Sequence, residues 1–174
     1  LAFAKSKTRE LGVDNIQFLL GDILDTNELG QRFDIIECTG VLHHMLDPVK
    51  GWRALVDVLK PGGLMQIGLY SDLARRHITK VKDEIASKKI GCTENEIRAF
   101  RRFLAESRES SHMKITTHLD FFSMSELRDL LFHAQEHRFT IPQIKQLLQK
   151  LGLDFCGFRG KQTISNFLQL GGNR

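Results

Sequence analysis

The sequence is short of cysteine, proline and long apolar runs, and each shortage removes a class of protein. Cys38, Cys92 and Cys156 are the only three cysteines among 174 residues. They are odd in number, far apart and without a CxxC pair, which argues against a disulfide framework and a structural zinc site. The same usage fits a reducing compartment, so a cytoplasmic setting is expected. No apolar stretch approaches the ~18 residues of a membrane span. No signal peptide is visible, and the chain contains neither an internal repeat nor a low-complexity tract. It opens LAFAKSKTRELG, without methionine and inside a helical pattern, so a chain truncated at its start is expected. Base-reading motifs and interleaved basic and aromatic residues are also missing, which makes nucleic acid an improbable partner.

What is present fits one medium domain, or one domain with an appendage: 41% of residues are hydrophobic and the formal net charge is +4. Between Asp72 and His118 stand 11 Lys or Arg against 7 Asp or Glu, so the whole surplus lies in that middle segment. A solvated helical face accounts for such a mixture, and an acidic partner is the sharper reading.

The apolar periodicity changes twice along the chain. Leu1–Leu11 has helical spacing and stops at Gly12. Asn15–Leu20 alternates and ends in Gly21-Asp22, as a strand and turn do. Phe33, Ile35 and Ile36 mark a short buried strand over Arg32–Cys38. Trp52, Leu55, Val56 and Leu59 give Val49–Leu59 an amphipathic helix, broken by Lys60-Pro61-Gly62-Gly63 ahead of a strand over Leu64–Tyr70. This alternation predicts an α/β fold with a parallel sheet covered by helices.

From Ser71 to about Thr140 the pattern is helical and charged. Ile78–Ile85, Glu94–Ser107 and Ser125–Phe132 read as helices, the last with a partial cap at Ser125, and Ser110–Leu119 reads as looser. The α/β pattern returns with a helix opening at Thr140-Ile141-Pro142 and closed by Gly152. A strand over Leu153–Phe158 follows, and an incomplete element over Ile164–Leu170. Three segments are therefore expected: residues 1–71 as a partial core, 72–140 as a helical insertion, and 141–174 as a return to the core.

Among chemistry-bearing residues, Glu37–Pro48, ECTGVLHHMLDP, is the most unusual stretch. Its adjacent His43 and His44 invite a metal reading, but sequence neighbours do not readily face one ion and no partner set is visible. Either one can serve as a base near neutral pH, while the other packs or caps. His133 and His137 lie at i, i+4 around Glu136, half a metal motif without a clear third ligand. No metal is expected. Tyr70, the only tyrosine, either lines an acceptor site or covers the core edge. Arg75 and Arg76 are either a surface pair or an anchor for an acidic acceptor.

Taken in order, Gly21-Asp22, FDIIECTGVLHHMLDP and LKPGGLMQIGLYS resemble the class I S-adenosylmethionine-dependent methyltransferases, in particular the type-11 and type-12 domains. The later run RDLLFHAQEHRFTIPQIKQLL is similar to bacterial methyltransferase domains that follow tetratricopeptide repeats. The resemblance implies a partial Rossmann-like methyltransferase sheet, lacking its first strand and its last, with the glycine-rich loop and ribose-binding acid lying before residue 1. It implies S-adenosyl-L-methionine as cofactor, with Asp22 accepting from the adenine amino group and the Ile23 N–H facing a ring nitrogen. Cys38, Thr39 and Gly40 would lie beside the amino-acid end of the cofactor. His43 and His44 would stand on the acceptor side, with Tyr70 and Arg75 as substrate contacts, and the insertion would act as a lid over an unidentified methyl acceptor. A tetratricopeptide-repeat region in the full-length chain is a further expectation. Two other readings compete: a different nucleotide-binding Rossmann enzyme, which would carry GxGxxG upstream, and a non-catalytic module that binds an acidic partner through its basic helices.

Overall fold

The structure is a computed structural model that describes residues 1–133, 135–160 and 165. It divides into two units, Leu1–Thr140 and a second beginning at Ile141. Within the first, helix α1 (Ala2–Glu10) precedes a segment without regular structure and a 3-10 turn over Ile23–Leu29. Strand β1 (Phe33–Cys38), helix α2 (Pro48–Asp57) and strand β2 (Leu59–Ile67) then form a parallel strand–helix–strand unit. Asp47 starts α2 by accepting the Val49 and Lys50 N–H groups, both at 3.0 Å, and Pro48 supplies a first-turn residue that has no N–H to satisfy. The buried stripe of α2 is Pro48, Gly51, Trp52, Ala54 and Leu55.

Two strand expectations are corrected. Asn15–Leu20 forms no strand, and Leu20 is 89% exposed. Alternation shows that a segment suits a pleated surface, but a strand also needs a neighbouring ladder, and β1 pairs with β2 alone among the described residues. The LKPGG turn is likewise not outside the sheet. Phe33 pairs with Leu59 and Ile35 with Leu64, so residues 60–63 bulge out of β2 while the ladder continues beyond them. Gly62 takes φ +75°, and a side chain on Gly63 would meet the Asp34 carbonyl at 2.9 Å, which is why glycine stands at both positions. Ile35 and its partner Leu64 are 70% and 58% exposed, so one face of this ladder is open.

Past β2, the short strand β3 (Tyr70–Ser71) pairs in parallel with β4 (Arg138–Phe139). This two-residue clasp joins the two ends of the helical insertion. Between them run α3 (Arg76–Ser87), α4 (Glu94–Glu106), α5 (Ser110–Thr116), a 3-10 turn over Leu119–Phe122 and α6 (Met124–Phe132). A hydrophobic cluster from Ile78 to Leu131 fills the insertion, with Ile97, Leu104, Ile115 and Leu127 fully enclosed. The helical insertion thus has a core of its own.

Its helix starts are chemically specified. Thr93 and Glu96 form a reciprocal capping box on α4. Ser123 caps α6 by accepting the Glu126 N–H, two residues before the expected Ser125. The looser stretch 110–119 becomes α5 because Glu109 accepts the Ser111 and His112 N–H groups at 2.9 and 3.0 Å. Lys80 and the Ser111 hydroxyl, helped by the His112 N–H, hold the Glu109 carboxyl down to about 2 against the opposing effect of burial. We expect a carbon-13 titration of Glu109 to show a midpoint near 2, returning toward 4.5 in Lys80→Ala. Because its folded pKa is depressed, this cap's contribution is present above the ordinary carboxyl value and is lost as pH falls through the folded one. An ordinary midpoint in the wild type would refute the Lys80 and Ser111 contacts with this carboxyl.

In the second unit, α7 (Ile141–Leu151) matches the expected helix, with Leu151 buried and Gly152 at φ +69° as its stop. Leu153–Phe158 forms no strand; Phe155 and Phe158 are exposed. As at Asn15–Leu20, an apolar pattern joins no ladder among the described residues. The element expected over Ile164–Leu170 lies outside the described residues apart from Ser165. No helix among the described residues is long and apolar enough to cross a membrane.

Candidate functional site

A broad groove of about 1260 Å³ opens at the carboxyl end of β1, the end at which open parallel sheets bind ligands. Its walls are the 19–29 segment, Glu37 to Thr39, Val41 and Met45 to Asp47 of the loop into α2, and Lys50 and Leu55 of α2 itself. Asp22, Ile23, Cys38 and Thr39, four of the five residues expected at a cofactor, line it together; Gly40, at φ +78°, is outside the lining and turns the chain away. Asp22 does not end a strand. It caps the 3-10 turn, its Oδ1 accepting the Leu24 N–H at 2.9 Å, and the carboxylate has acceptor capacity beyond that one bond. Thr26 ties the same turn to α2 through the Ala54 carbonyl at 3.3 Å.

Cys38 is buried, and burial raises its thiol pKa, so it acts as a small apolar wall. Gly68 follows β2 and presses on Thr39: a side chain there would lie 2.8 Å from the Thr39 methyl. Its N–H donates to the Cys38 carbonyl at 2.9 Å.

The twin histidines separate into different environments. His43 is 2% exposed, stacks on Tyr70 at 3.8 Å, and donates from Nδ1 to the Gly68 carbonyl at 3.3 Å. Burial first, and then neighbouring His44, lower its pKa, so the ring is neutral. Its Nε2 is buried without a protein partner. His44 is half-buried, and its Nδ1 lies 3.1 Å from the Gln135 carbonyl. A carbonyl only accepts, so Nδ1 carries the proton and Nε2 the lone pair. The His133 ring lies tilted against that of His44, with centres 4.0 Å apart.

Tyr70 sits between His43 and the Arg75 guanidinium, which lies 3.7 Å from its ring centre. Burial raises the phenol pKa. Arg75 itself is held by Glu136 through two hydrogen bonds, 2.8 and 2.7 Å, and Lys82 approaches the same carboxylate at 3.5 Å. Arg75 thus spends its charge inside the protein. Arg76 is exposed and only loosely opposite Asp72, at 3.9 Å.

The His133/His137 helical pair does not form. α6 ends at Phe132, His133 turns to an extended backbone, and residues 135–138 lie as a strap along the histidine loop. His137 N–H donates to the His43 carbonyl at 2.7 Å and the Gln135 side-chain amide to the Met45 carbonyl at 3.2 Å. Gln135, Glu136 and Gly68 were therefore missed as organisers of the site. The glycine near the end of a strand was a legible sign of close backbone approach; the strap pairs residues some ninety positions apart, and no local pattern encodes that.

A parallel strand–helix–strand unit with a groove at its strand ends and a helical insertion after the second strand defines a partial Rossmann-like methyltransferase fold. The profile described as "Methyltransferase domain" matches residues 1–152, and the chain belongs to that family. Among curated proteins it is similar to an uncharacterised protein of Synechococcus sp. (strain ATCC 27144 / PCC 6301 / SAUG 1402/1), 28% identical over 167 residues. That match covers 91% of this chain and 40% of the relative, so the chain spans about two fifths of that protein's length.

Proposed function

We propose that the groove at the end of β1 binds S-adenosyl-L-methionine and that the protein transfers its methyl group to an acceptor held on the His44 side of the loop. The observation that carries this reading is the gathering of Asp22, Ile23, Cys38 and Thr39 along one groove in a methyltransferase-domain chain. The donor set suits the cofactor. The Asp22 carboxylate is an acceptor for an exocyclic amine, the Ile23 N–H a donor for a ring nitrogen, and the small side chains from Cys38 to Gly40 leave backbone groups accessible. When bound, the sulfonium supplies an electrophilic methyl group.

What this chain adds is placement and proton handling. His43, neutral and locked between Gly68 and Tyr70, positions the loop. His44 offers the Nε2 lone pair, oriented by Gln135, to the acceptor side, where it can take a proton from a hydroxyl, thiol or ammonium group. The insertion, joined at β3 and β4, acts as the acceptor lid, and Tyr70 lines its root. Small molecules, protein side chains and lipid precursors all qualify as acceptors on this chemistry.

Asp22→Ala is expected to weaken S-adenosylhomocysteine binding, measured by calorimetry, by about 10- to 100-fold, the scale of one hydrogen bond to a charged group. An unchanged affinity would move the adenine elsewhere and overturn the assignment of Asp22.

A further inference from the structure

The geometry points to a binding site for one divalent transition-metal cation formed by His44, Asp129 and His133, on the acceptor side of the histidine loop. The ligand atoms of these three residues all lie within 4.8 Å of one another. Ligands sharing one zinc-sized ion at about 2.0–2.2 Å stand roughly 3–4 Å apart, so closure needs less than an ångström or so of side-chain adjustment. None of the three is buried, so their side chains are free to make it.

Three observations favour a metal over a plain surface cluster. First, His44 already has the outer-shell partner of a metal-bound histidine: Nδ1–H faces the Gln135 carbonyl at 3.1 Å, which leaves the Nε2 lone pair for an ion. Second, Asp129 lies in the last turn of α6 and His133 follows its end, with the carboxylate 4.0 Å from His133 Nε2. That gap is too long for a hydrogen bond and of the size a shared ion spans. Third, the His44 and His133 ring centres lie 4.0 Å apart, so the histidine loop and the residue that follows α6 bring their imidazoles together. His133 Nδ1 now accepts the Gln135 N–H at a long 3.3 Å. Ligation through Nε2 displaces that nitrogen's proton, puts a proton on Nδ1 and opens this contact.

Two imidazoles and one carboxylate select zinc, cobalt(II) or iron(II) over magnesium and calcium, which prefer oxygen alone. Such a set leaves coordination positions open. An acceptor hydroxyl or thiol bound there would lose its proton more readily, and His44 would serve as a ligand where the metal-free reading makes it a base. The catalytic consequence rests on the proposed methyl transfer; the metal site does not, and its test uses no cofactor.

The test titrates chelator-stripped protein with cobalt(II), read by visible absorption, and with zinc, read by calorimetry. One ion with micromolar or tighter affinity is expected. His44→Ala, His133→Ala and Asp129→Asn should each weaken it at least tenfold, whereas His137→Ala and Cys92→Ser should not. The Gln135 backbone amide resonance should shift on zinc binding, a change that binding elsewhere would not cause. Equal affinity in His44→Ala and the parent protein, or no binding in a parent protein shown by circular dichroism to be folded, would overturn the site and leave the methyltransferase reading intact.

Discussion

Glu136→Ala is expected to destabilise the protein by about 3–5 kcal/mol, the cost of leaving one member of a buried ion pair without its partner. The Glu136 and Arg75 side chains are only 6% and 13% exposed, and their two hydrogen bonds are short. Removing the carboxylate strands the guanidinium against Tyr70 with Lys82 nearby, so two cations lose their counterion. The effect should appear in urea denaturation followed by circular dichroism; a loss below about 1 kcal/mol, the scale of a surface pair, would refute the description of this pair as buried.

The same pair has a pH signature. Burial raises the Glu136 carboxyl pKa, but Arg75 and then Lys82 outweigh burial, and the net value is below 4.5. The folded pKa is therefore lower than the unfolded one. The stabilisation is fully present above the unfolded value and is lost as pH falls through the folded value. Glu136→Gln, which cannot ionise, should flatten this part of the acid-stability curve while lowering stability at neutral pH.

Leu127→Ala is expected to cost about 2–5 kcal/mol, the range for emptying an enclosed leucine site. Leu127 is fully buried on α6 within the cluster that also holds Ile97, Leu104 and Ile115. That cluster is the insertion's own core, so the loss should appear first as melting of the helical signal. Leu127→Met, similar in volume, should cost less than about 1.5 kcal/mol. Equal stability of Leu127→Ala and the parent protein would mean that the insertion draws its stability from elsewhere. α6 also carries Asp129 and leads directly into His133, so the alanine variant should weaken metal binding through lost order, whereas Asp129→Asn should do so with the helix intact.

Much of the fold was legible because its signals are local. Periodicity located β1, α2, α3, α4, α6 and α7, and the ordered motifs from Gly21 to Ser71 led to the methyltransferase family that residues 1–152 match. The candidate cofactor residues were legible for the same reason: Asp22, Cys38 and Thr39 sit at element ends that the chain itself marks. Where local pattern and tertiary context parted, context decided. Asn15–Leu20 and Leu153–Phe158 have strand-like composition and form no strand, since backbone hydrogen bonds in a sheet come from another segment. LKPGG reads as a turn and is a bulge, since the register with β1 resumes beyond it.

By itself, then, the sequence determined the α/β alternation, the placement of the insertion and the residue types along the groove, all consequences of spacing and side-chain chemistry over a few residues. Only the tertiary structure decided the roles of the histidines. Each ring gives Nδ1–H to a carbonyl, Gly68 for His43 and Gln135 for His44, and keeps a lone pair on Nε2; burial encloses that of His43, and only His44 is part-exposed. Whether Arg75 is free for a ligand depends on Glu136, sixty-one positions away. Hydrogen bonds and ion pairs act over about 3 Å of space whatever the separation along the chain, so these assignments exist only once the strap has folded onto the loop.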